Sequence, residues 1–156
     1  MEIVFFRHGH SLSMQEAGVD SDFERPLSQN GEKQVIESAN NLKNNNFIPQ
    51  IILSSSFKRA ERTSKIIADI FNIKEINFLK ELSIMNDPNI IIDVIKKNCF
   101  IKNAIIVGHQ PMLGLLARII TGEENIELKP AGYALIEIND VKIFNGRLKL
   151  NFNIAD

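Results

Sequence analysis

The sequence predicts an α/β fold, a three-layer sandwich whose mostly parallel sheet is flanked by helices on both faces and has a C-terminal antiparallel edge. Short apolar segments alternate with segments of helical spacing through most of the chain, which is typical of parallel strands joined by helices. Two alternating segments then close the chain, Tyr133–Ile138 and Arg147–Phe152, with the turn signal Asn145-Gly146 between them. We expect a single domain over residues 1–156, because no repeat, linker or low-complexity tract divides it.

The first part of the chain predicts two strand–helix pairs. Glu2–Phe6 is a short apolar run, typical of a buried strand. His10–Leu27 is a long polar connection, and connections of that length in a compact domain usually serve a function. Ser28 is a good N-cap for a helix that runs to about Asn45, and Ile51–Leu53 predicts the second strand. The next helix carries these residues on one face: Ala60, Thr63, Ile67, Ile70 and Phe71.

The following part predicts two more strands, each followed by a helix. Ile76–Leu79 and Ala104–Val107 have the length and apolar character of buried strands. Asp87 followed by Pro88 is a good helix start, because it combines a capping residue with proline at the first helical position. Pro111 is expected to open the last helix. Gly122 is expected to end that helix, and four of its residues are predicted to face inward: Leu115, Leu116, Ile119 and Ile120.

The composition excludes several classes of protein. Of the 156 residues 44% are hydrophobic and 24% charged, which argues against disorder. The net charge of −1 argues against a nucleic-acid partner, and no apolar run approaches the roughly 20 residues that span a membrane. Met1–Arg7 lacks the basic start of a signal peptide. The single Cys99 excludes an internal disulfide and is expected to be inert packing. We therefore expect a cytoplasmic protein, and we expect it to be a monomer.

Residues able to bind an anion follow three of the predicted strands. In an open α/β sheet, ligands bind beyond the carboxyl ends of the strands. The residues in question are Arg7, His8, Gly9 and His10 after the first strand, Ser55 and Arg59 after the second, and His109 after the fourth. Arginine binds phosphate in a planar, bidentate manner, and helix N-termini add backbone donors. The sequence therefore predicts a pocket for a phosphoryl group.

A neutral histidine in such a pocket can attack phosphorus and form a phosphohistidine intermediate. Surrounding positive charge lowers the pKa of that histidine and favours the nucleophilic form. Gly9 has no Cβ and would let phosphate approach the backbone. As an alternative, His8 and His10 could bind a metal, but such a site needs further ligands and only His109 remains among the histidines. We therefore expect no metal.

Three motifs together resemble the histidine phosphatase superfamily, the family of the phosphoglycerate mutases. The motifs are Arg7–Gly9, Ser55–Ala60 and Val107–Pro111. The short chain and the segments Arg25–Ser28 and Glu81-Leu82 are most similar to the compact bacterial branch of this family. Members of that branch are phosphohistidine phosphatases that act on histidine-containing phosphotransfer domains. The resemblance implies a phosphoglycerate mutase-like fold, no metal and no cofactor.

The resemblance covers the chain from Glu2 to roughly Asn139 and implies a role for each matching residue. The roles are His8 as nucleophile, Arg7 and Arg59 as clamps on the phosphoryl oxygens, and His109 as a second histidine that touches the phosphate and assists proton transfer. Ser55 and Gly9 are predicted to contact the substrate. Glu81 is the best positional match for an acid that protonates the leaving group, and its alternative interpretation is a solvated loop carboxylate.

Two features are left without a settled role. His10 stands where relatives often carry an acidic or amide residue. Asp20, Asp22 and Glu24 make the long connection acidic, either for solubility or as a gate. Three functions stay open: a phosphatase for phosphohistidine on a partner protein, a small-molecule phosphomonoesterase that uses Glu81, and a phosphate-binding module without turnover.

Overall fold

The computed structural model describes residues 1–156 and contains one six-stranded sheet of order β3-β2-β4-β1-β5-β6. Its strands are β1 (Glu2–Arg7), β2 (Ile51–Ser54), β3 (Ile76–Phe78), β4 (Ala104–Gly108), β5 (Tyr133–Asp140) and β6 (Asn145–Phe152). The first four strands pair in parallel, whereas β5 runs antiparallel to both β1 and β6. The predicted sheet, mostly parallel with an antiparallel C-terminal edge, is confirmed.

Helices cover both faces of this sheet. They are α1 (Met14–Ala17), α2 (Gln29–Asn44), α3 (Lys58–Phe71), α4 (Pro88–Cys99) and α5 (Met112–Thr121), with short 3₁₀ turns at Asp22–Glu24 and Lys80–Leu82. Buried residues of α2 and α3 pack in one apolar cluster, and those of α4 and α5 pack in a second cluster across the sheet. The three predicted layers are therefore present. No helix has both the length and the apolar character needed to cross a membrane.

The first strand shows why its sequence is a continuous apolar run. Ile3 and Phe5 belong to the cluster under α4 and α5, while Val4 and Phe6 belong to the cluster under α2 and α3. All four side chains are fully buried, because a strand in the middle of a covered sheet has no solvent face. Each such side chain contributes roughly 1.5–3 kcal/mol through burial. This burial holds the end of β1, where the predicted site begins, in a rigid position.

Capping residues set several helix boundaries as predicted. The Ser28 hydroxyl accepts a hydrogen bond of 2.9 Å from the Gly31 amide at the start of α2. The Asp87 carboxylate accepts one from the Asn89 amide at 2.8 Å, and Pro88 occupies the first turn of α4. Gly122 ends α5 in the left-handed conformation, with φ 73°.

The buried face of α5 differs from the prediction. Leu116 and Ile120 are buried as predicted, but Leu115 and Ile119 are exposed by 37% and 49%. Leu115 and Ile119 are four residues apart and share a stripe on the solvent side of the helix. The apolar content of α5 exceeds what one face can hold, so periodicity alone did not identify the inward stripe.

The hairpin turn also differs from the prediction. Asn145 and Gly146 lie in β6, and the turn is formed by Val141–Phe144. The Asp140 carboxylate accepts a hydrogen bond of 2.8 Å from the Lys142 amide and so organises the turn. Gly146 has another reason to be glycine, because a Cβ there would lie 2.4 Å from the Glu137 carbonyl oxygen across the hairpin.

Candidate active site

The carboxyl ends of β1, β4 and β2 meet at one edge of the sheet, because β4 lies between the other two. His8 follows β1 and His109 follows β4, and the centroids of their rings are 5.1 Å apart. Arg59, in the first turn of α3, donates from Nε to His8 Nε2 at 3.3 Å. Arg7 is the last residue of β1. The structure therefore brings the two predicted histidines and the two predicted arginines into one small region.

The hydrogen bonds of His8 define which ring nitrogen carries the proton. Nδ1 lies 2.7 Å from the Gly9 carbonyl oxygen, which can only accept, so Nδ1 must carry the proton. Nε2 lies opposite Arg59 Nε, which can only donate, so Nε2 must present its lone pair. Both contacts are satisfied by a single neutral form of the ring. In that form Nε2 is the free nucleophilic nitrogen, and it points at a guanidinium group.

Burial keeps both histidines neutral. His8 is only 9% exposed, and burial lowers its pKa to about 3. The Gly9 carbonyl opposes this shift, while His109, Arg59 and Arg7 reinforce it. Burial likewise lowers the pKa of His109 to about 4, with a further contribution from Arg59. A neutral imidazole is the form that can attack an electrophile, so both rings are in the form that nucleophilic chemistry requires at neutral pH.

The pKa is about 3 for His8 and about 4 for His109. We therefore expect the imidazole C–H signals of both residues to stay constant in NMR spectra between pH 5 and pH 8, as long as the protein stays folded. Unfolded histidines take up protons near pH 6.5. The free energy of unfolding should therefore fall as the pH is lowered from about 6.5 towards 4, since the unfolded chain then binds more protons. His10→Gln assigns the third signal. A midpoint near pH 6.5 for either pocket histidine would contradict this.

Arg7 adds positive charge and an unpaired donor to the region. Its Nη1 donates to the Leu128 carbonyl at 3.0 Å, which anchors the side chain. Its Nε is buried and has no partner. Burial lowers the pKa of Arg7, but a guanidinium remains charged in a protein. A buried donor without a partner is costly, so a bound anion would satisfy a group that the free protein leaves unpaired.

The remaining predicted site residues lie close by but have other contacts. Ser55 Oγ lies 2.7 Å from His109 Nε2 and 3.0 Å from Ser83 Oγ, so this hydroxyl orients His109. Gly9 packs against α2, where a Cβ would lie 2.5 Å from the Gly31 carbonyl oxygen. His10 is exposed and its Nδ1 lies 2.7 Å from Ser28 Oγ, which ties the end of β1 to the start of α2.

Glu81 adjoins this region without lining the pocket found there, whose lining also leaves out His8 and Arg7. A pocket of about 240 Å³ opens beside Arg59 and His109, and the 3₁₀ turn at Lys80–Leu82 contributes Leu82 to its lining but not Glu81. Glu81 also makes no side-chain hydrogen bond. The only carboxylate in the lining is Asp22, from the long connection between β1 and α2. In the sequence, Asp22 is distinguished only as one of the acidic residues of this connection.

Other nucleophiles and possible metal ligands lie elsewhere or are already engaged. No group of three or more His, Cys, Asp or Glu residues is arranged to hold a metal ion. The Nδ1 atoms of His8 and His10 bond the Gly9 carbonyl and the Ser28 hydroxyl, respectively. Cys99 is fully buried, and burial raises the pKa of its thiol to about 12, which makes it unreactive.

The fold and the cluster of two histidines and two arginines at the sheet edge are typical of an α/β enzyme that handles phosphoryl groups. The chain belongs to the histidine phosphatase superfamily (branch 1), whose sequence model matches residues 3–86. This membership confirms the resemblance recognised in the sequence and the prediction that the protein is a phosphatase. No curated protein matches the chain at a significant level.

Solved structures share the fold over nearly the whole chain. The protein histidine phosphatase SixA, solved in complex with tungstate, is 24% identical with a TM-score of 0.85, and the match covers 97% of this chain and 96% of that one. An Agrobacterium tumefaciens protein assigned as a phosphohistidine phosphatase SixA is 19% identical with a TM-score of 0.82, covering 98% and 97%. An Escherichia coli protein assigned as an α-ribazole-5′-P phosphatase is 16% identical with a TM-score of 0.75, covering 98% and 96%. These similarities confirm the phosphoglycerate mutase-like fold.

Proposed function

We propose that this protein removes the phosphoryl group from phosphohistidine on a partner protein and carries it transiently on His8. The observation that carries the proposal is the nature of the only carboxylate in the pocket. Asp22 is held by two arginines, at 2.9 Å from Arg25 Nη1 and 3.1 Å from Arg59 Nη2, and its pKa is lowered. An ionised carboxylate cannot donate a proton. The pocket therefore suits a leaving group that departs without a general acid.

The first step transfers the phosphoryl group to His8. The Nε2 lone pair attacks phosphorus, and the bond from phosphorus to the leaving nitrogen breaks, with its electron pair going to the partner's imidazole. Arg59 and Arg7 hold the phosphoryl oxygens and stabilise their charge in the transition state. The Gly9 carbonyl keeps the proton on His8 Nδ1 and stabilises the positive charge that develops on the ring.

The second step releases inorganic phosphate. Water attacks phosphorus of phospho-His8, the bond to Nε2 breaks, and its electron pair returns to the ring. The attacking water loses one proton, which His109 takes up and then passes on to phosphate or solvent. His109, kept neutral by burial and bonded to Ser55, lies beside His8 and is able to accept that proton. His8 then regains the neutral form seen in the structure.

The leaving group distinguishes phosphohistidine from a phosphomonoester. An alkoxide is strongly basic, so a phosphomonoesterase gains roughly 10²–10⁴-fold from a positioned acid. A phosphohistidine ring that is already protonated leaves as neutral imidazole and needs no such acid. Asp22 is ionised, and Glu81 makes no hydrogen bond or ion pair with the residues around His8. These two facts favour phosphohistidine over the small-molecule alternative.

The mouth of the pocket suits a protein-borne substrate. Ile84 and Met85 form part of its lining and are exposed by 59% and 72%, so two large apolar side chains lie at the entrance. Such surface is typical of a protein contact. The names of similar structures, a protein histidine phosphatase and a phosphohistidine phosphatase, point the same way. We place this activity in the cytoplasm, in agreement with the single free Cys99, and expect the monomer to be active.

Comparing kcat/KM across substrates tests the proposal. A histidine-containing phosphotransfer domain, phosphorylated on histidine, is expected to react about 10²-fold faster than alkyl phosphomonoesters, because the missing acid penalises only the esters. Excess chelator should leave the rate unchanged. Glu81→Gln is the matched control and should not alter either rate. A clear preference for an alkyl phosphate, lost in Glu81→Gln, would overturn the proposal in favour of the small-molecule alternative.

A further inference from the structure

Asp22 holds both terminal nitrogens of Arg59. The Asp22 carbonyl oxygen accepts from Arg59 Nη1 at 2.8 Å, and its carboxylate accepts from Nη2 at 3.1 Å. The remaining nitrogen, Nε, is the one that donates to His8 Nε2. All three nitrogens of a buried guanidinium, 7% exposed, are therefore assigned to particular partners. With its fork held in this way, Arg59 can direct Nε at the nucleophilic atom of His8.

Asp22 is itself braced by Arg25. Arg25 donates from Nη1 to the Asp22 carboxylate at 2.9 Å, from Nη2 to Ser11 Oγ at 2.8 Å and from Nε to the Leu12 carbonyl at 2.8 Å. Ser11 and Leu12 stand at the start of the long connection, just after the end of β1. Arg25 thus ties the two ends of this connection together and fixes the carboxylate that lies between them.

A neighbouring aromatic contact holds the same part of the connection against the pocket. Phe23 packs edge-on against Phe57, with ring centroids 5.2 Å apart. The centroids of the Phe57 and His109 rings are 5.0 Å apart. The Arg59 guanidinium carbon lies over the Phe57 ring, 5.0 Å from its centroid. The connection between β1 and α2 is therefore part of the wall of the active site.

We propose that Asp22, braced by Arg25, is a positioning residue that holds the Arg59 fork in the orientation required for phosphoryl transfer. It acts through Arg59 and does not contact the reacting atoms. The proposal rests on the proposed function only in taking His8 as the phosphoryl acceptor, whatever the leaving group.

The donor count of arginine explains why this contact does not exclude the substrate. A guanidinium has five N–H groups, and Asp22 uses one on each terminal nitrogen. Three N–H groups remain for the phosphoryl oxygens. One of them is the Nε–H, whose hydrogen bond to His8 is broken when the substrate enters. Because Arg59 is fixed before binding, the loss of its rotamer freedom does not oppose the reaction. The opposite role, a carboxylate that competes with phosphate for Arg59, predicts a gain of activity when Asp22 is removed.

Kinetics of Asp22→Asn on two substrates separate these roles. The substrates are a histidine-phosphorylated phosphotransfer domain and p-nitrophenyl phosphate, whose leaving group also needs no acid. We expect Asp22→Asn to lower kcat/KM about tenfold on both, mainly through kcat, because both contain the phosphoryl group that Arg59 binds. Asp20→Asn is the matched control, since Asp20 is exposed in the same connection and makes no hydrogen bond. It should behave as the wild type.

A second variant makes the chain of contacts testable. Arg25→Gln should reproduce the loss in kcat although Arg25 does not line the pocket, and the double variant Arg25→Gln/Asp22→Asn should be no worse than Asp22→Asn alone. Additive losses, or a melting temperature that falls in step with the rate, would reduce Asp22 to a general structural contact and overturn the proposal. A lower KM with a higher kcat/KM would show competition and overturn it as well.

Binding of inorganic phosphate gives a readout besides turnover. Calorimetry should show phosphate binding to Asp22→Asn that is no tighter than binding to the wild type, because the loss is expected mainly in kcat, and tighter binding would contradict the positioning role. A wild type that hydrolyses p-nitrophenyl phosphate but not phosphohistidine would defeat the proposed function alone. The test of Asp22 would then still be decided by p-nitrophenyl phosphate and by phosphate binding.

Discussion

Replacing His8 with alanine is expected to lower kcat on the order of 10⁴-fold or more, because it removes the atom that forms the bond to phosphorus. The hydrogen bonds of this residue make the expectation specific. Nδ1 is committed to the Gly9 carbonyl and Nε2 is directed at Arg59, and no other nucleophile occupies that position. His109 is the nearest imidazole, but its Nε2 is engaged with Ser55 Oγ. Its Nδ1 is buried and has no hydrogen-bond partner.

Rapid quench with a histidine-phosphorylated protein carrying labelled phosphate measures this directly. In the wild type, the label should pass from the substrate protein to the phosphatase within one turnover, form an acid-labile bond there, and then leave as inorganic phosphate. His8→Ala should acquire no label. His10→Ala is the matched control, because His10 is exposed and bonded to Ser28, and it should still acquire label. Label on His8→Ala would show that another side chain accepts the phosphoryl group.

The residues at the strand ends could be predicted because two simple rules locate them. The apolar runs Glu2–Phe6, Ile51–Leu53 and Ala104–Val107 are short and continuous, as is typical of buried strands. Parallel strands in an α/β sheet then bring their carboxyl ends to one edge. His8 and His109 could thus be placed together although 100 residues separate them in the sequence.

Asp22 could not be predicted in the same way. The connection His10–Leu27 has no apolar period, so nothing in it indicates which of its acidic residues faces inward. The choice is made by Arg25 and Arg59, whose donors fit Asp22 in three dimensions, whereas the carboxylates of Asp20 and Glu24 make no hydrogen bond. The orientation of Glu81 could not be predicted for the same reason, since the 3₁₀ turn that carries it has too few residues to define a face. Its role as a general acid stays a prediction. Long-range polar contacts of this kind depend on the finished fold.

Arg59 is expected to have the largest effect after His8. Arg59→Ala should lower kcat and kcat/KM together by about 10²–10³-fold, the usual loss when a donor to the charged transition state is removed. Both constants should fall because the guanidinium binds the phosphoryl oxygens more strongly as charge develops on them during transfer. Arg59→Lys should recover only part of the rate. Lysine restores the charge, but it has no planar fork that can bond Asp22 and point a donor at His8 Nε2 at the same time.

The adjacent turn of α3 offers a matched control for this prediction. Arg62 lies three residues further along the same helix, but it is exposed to solvent, and its Nε pairs with the Glu32 carboxylate at 2.7 Å, away from the pocket. Arg62→Ala removes the same guanidinium charge from α3 and should leave kcat unchanged within about twofold, because exposed ion pairs contribute little. A rise in KM alone for Arg59→Ala would mean that Arg59 binds the ground state and the transition state equally. Arg59 would then be a docking contact for phosphate, and the acceleration would have to come from Arg7 and His109.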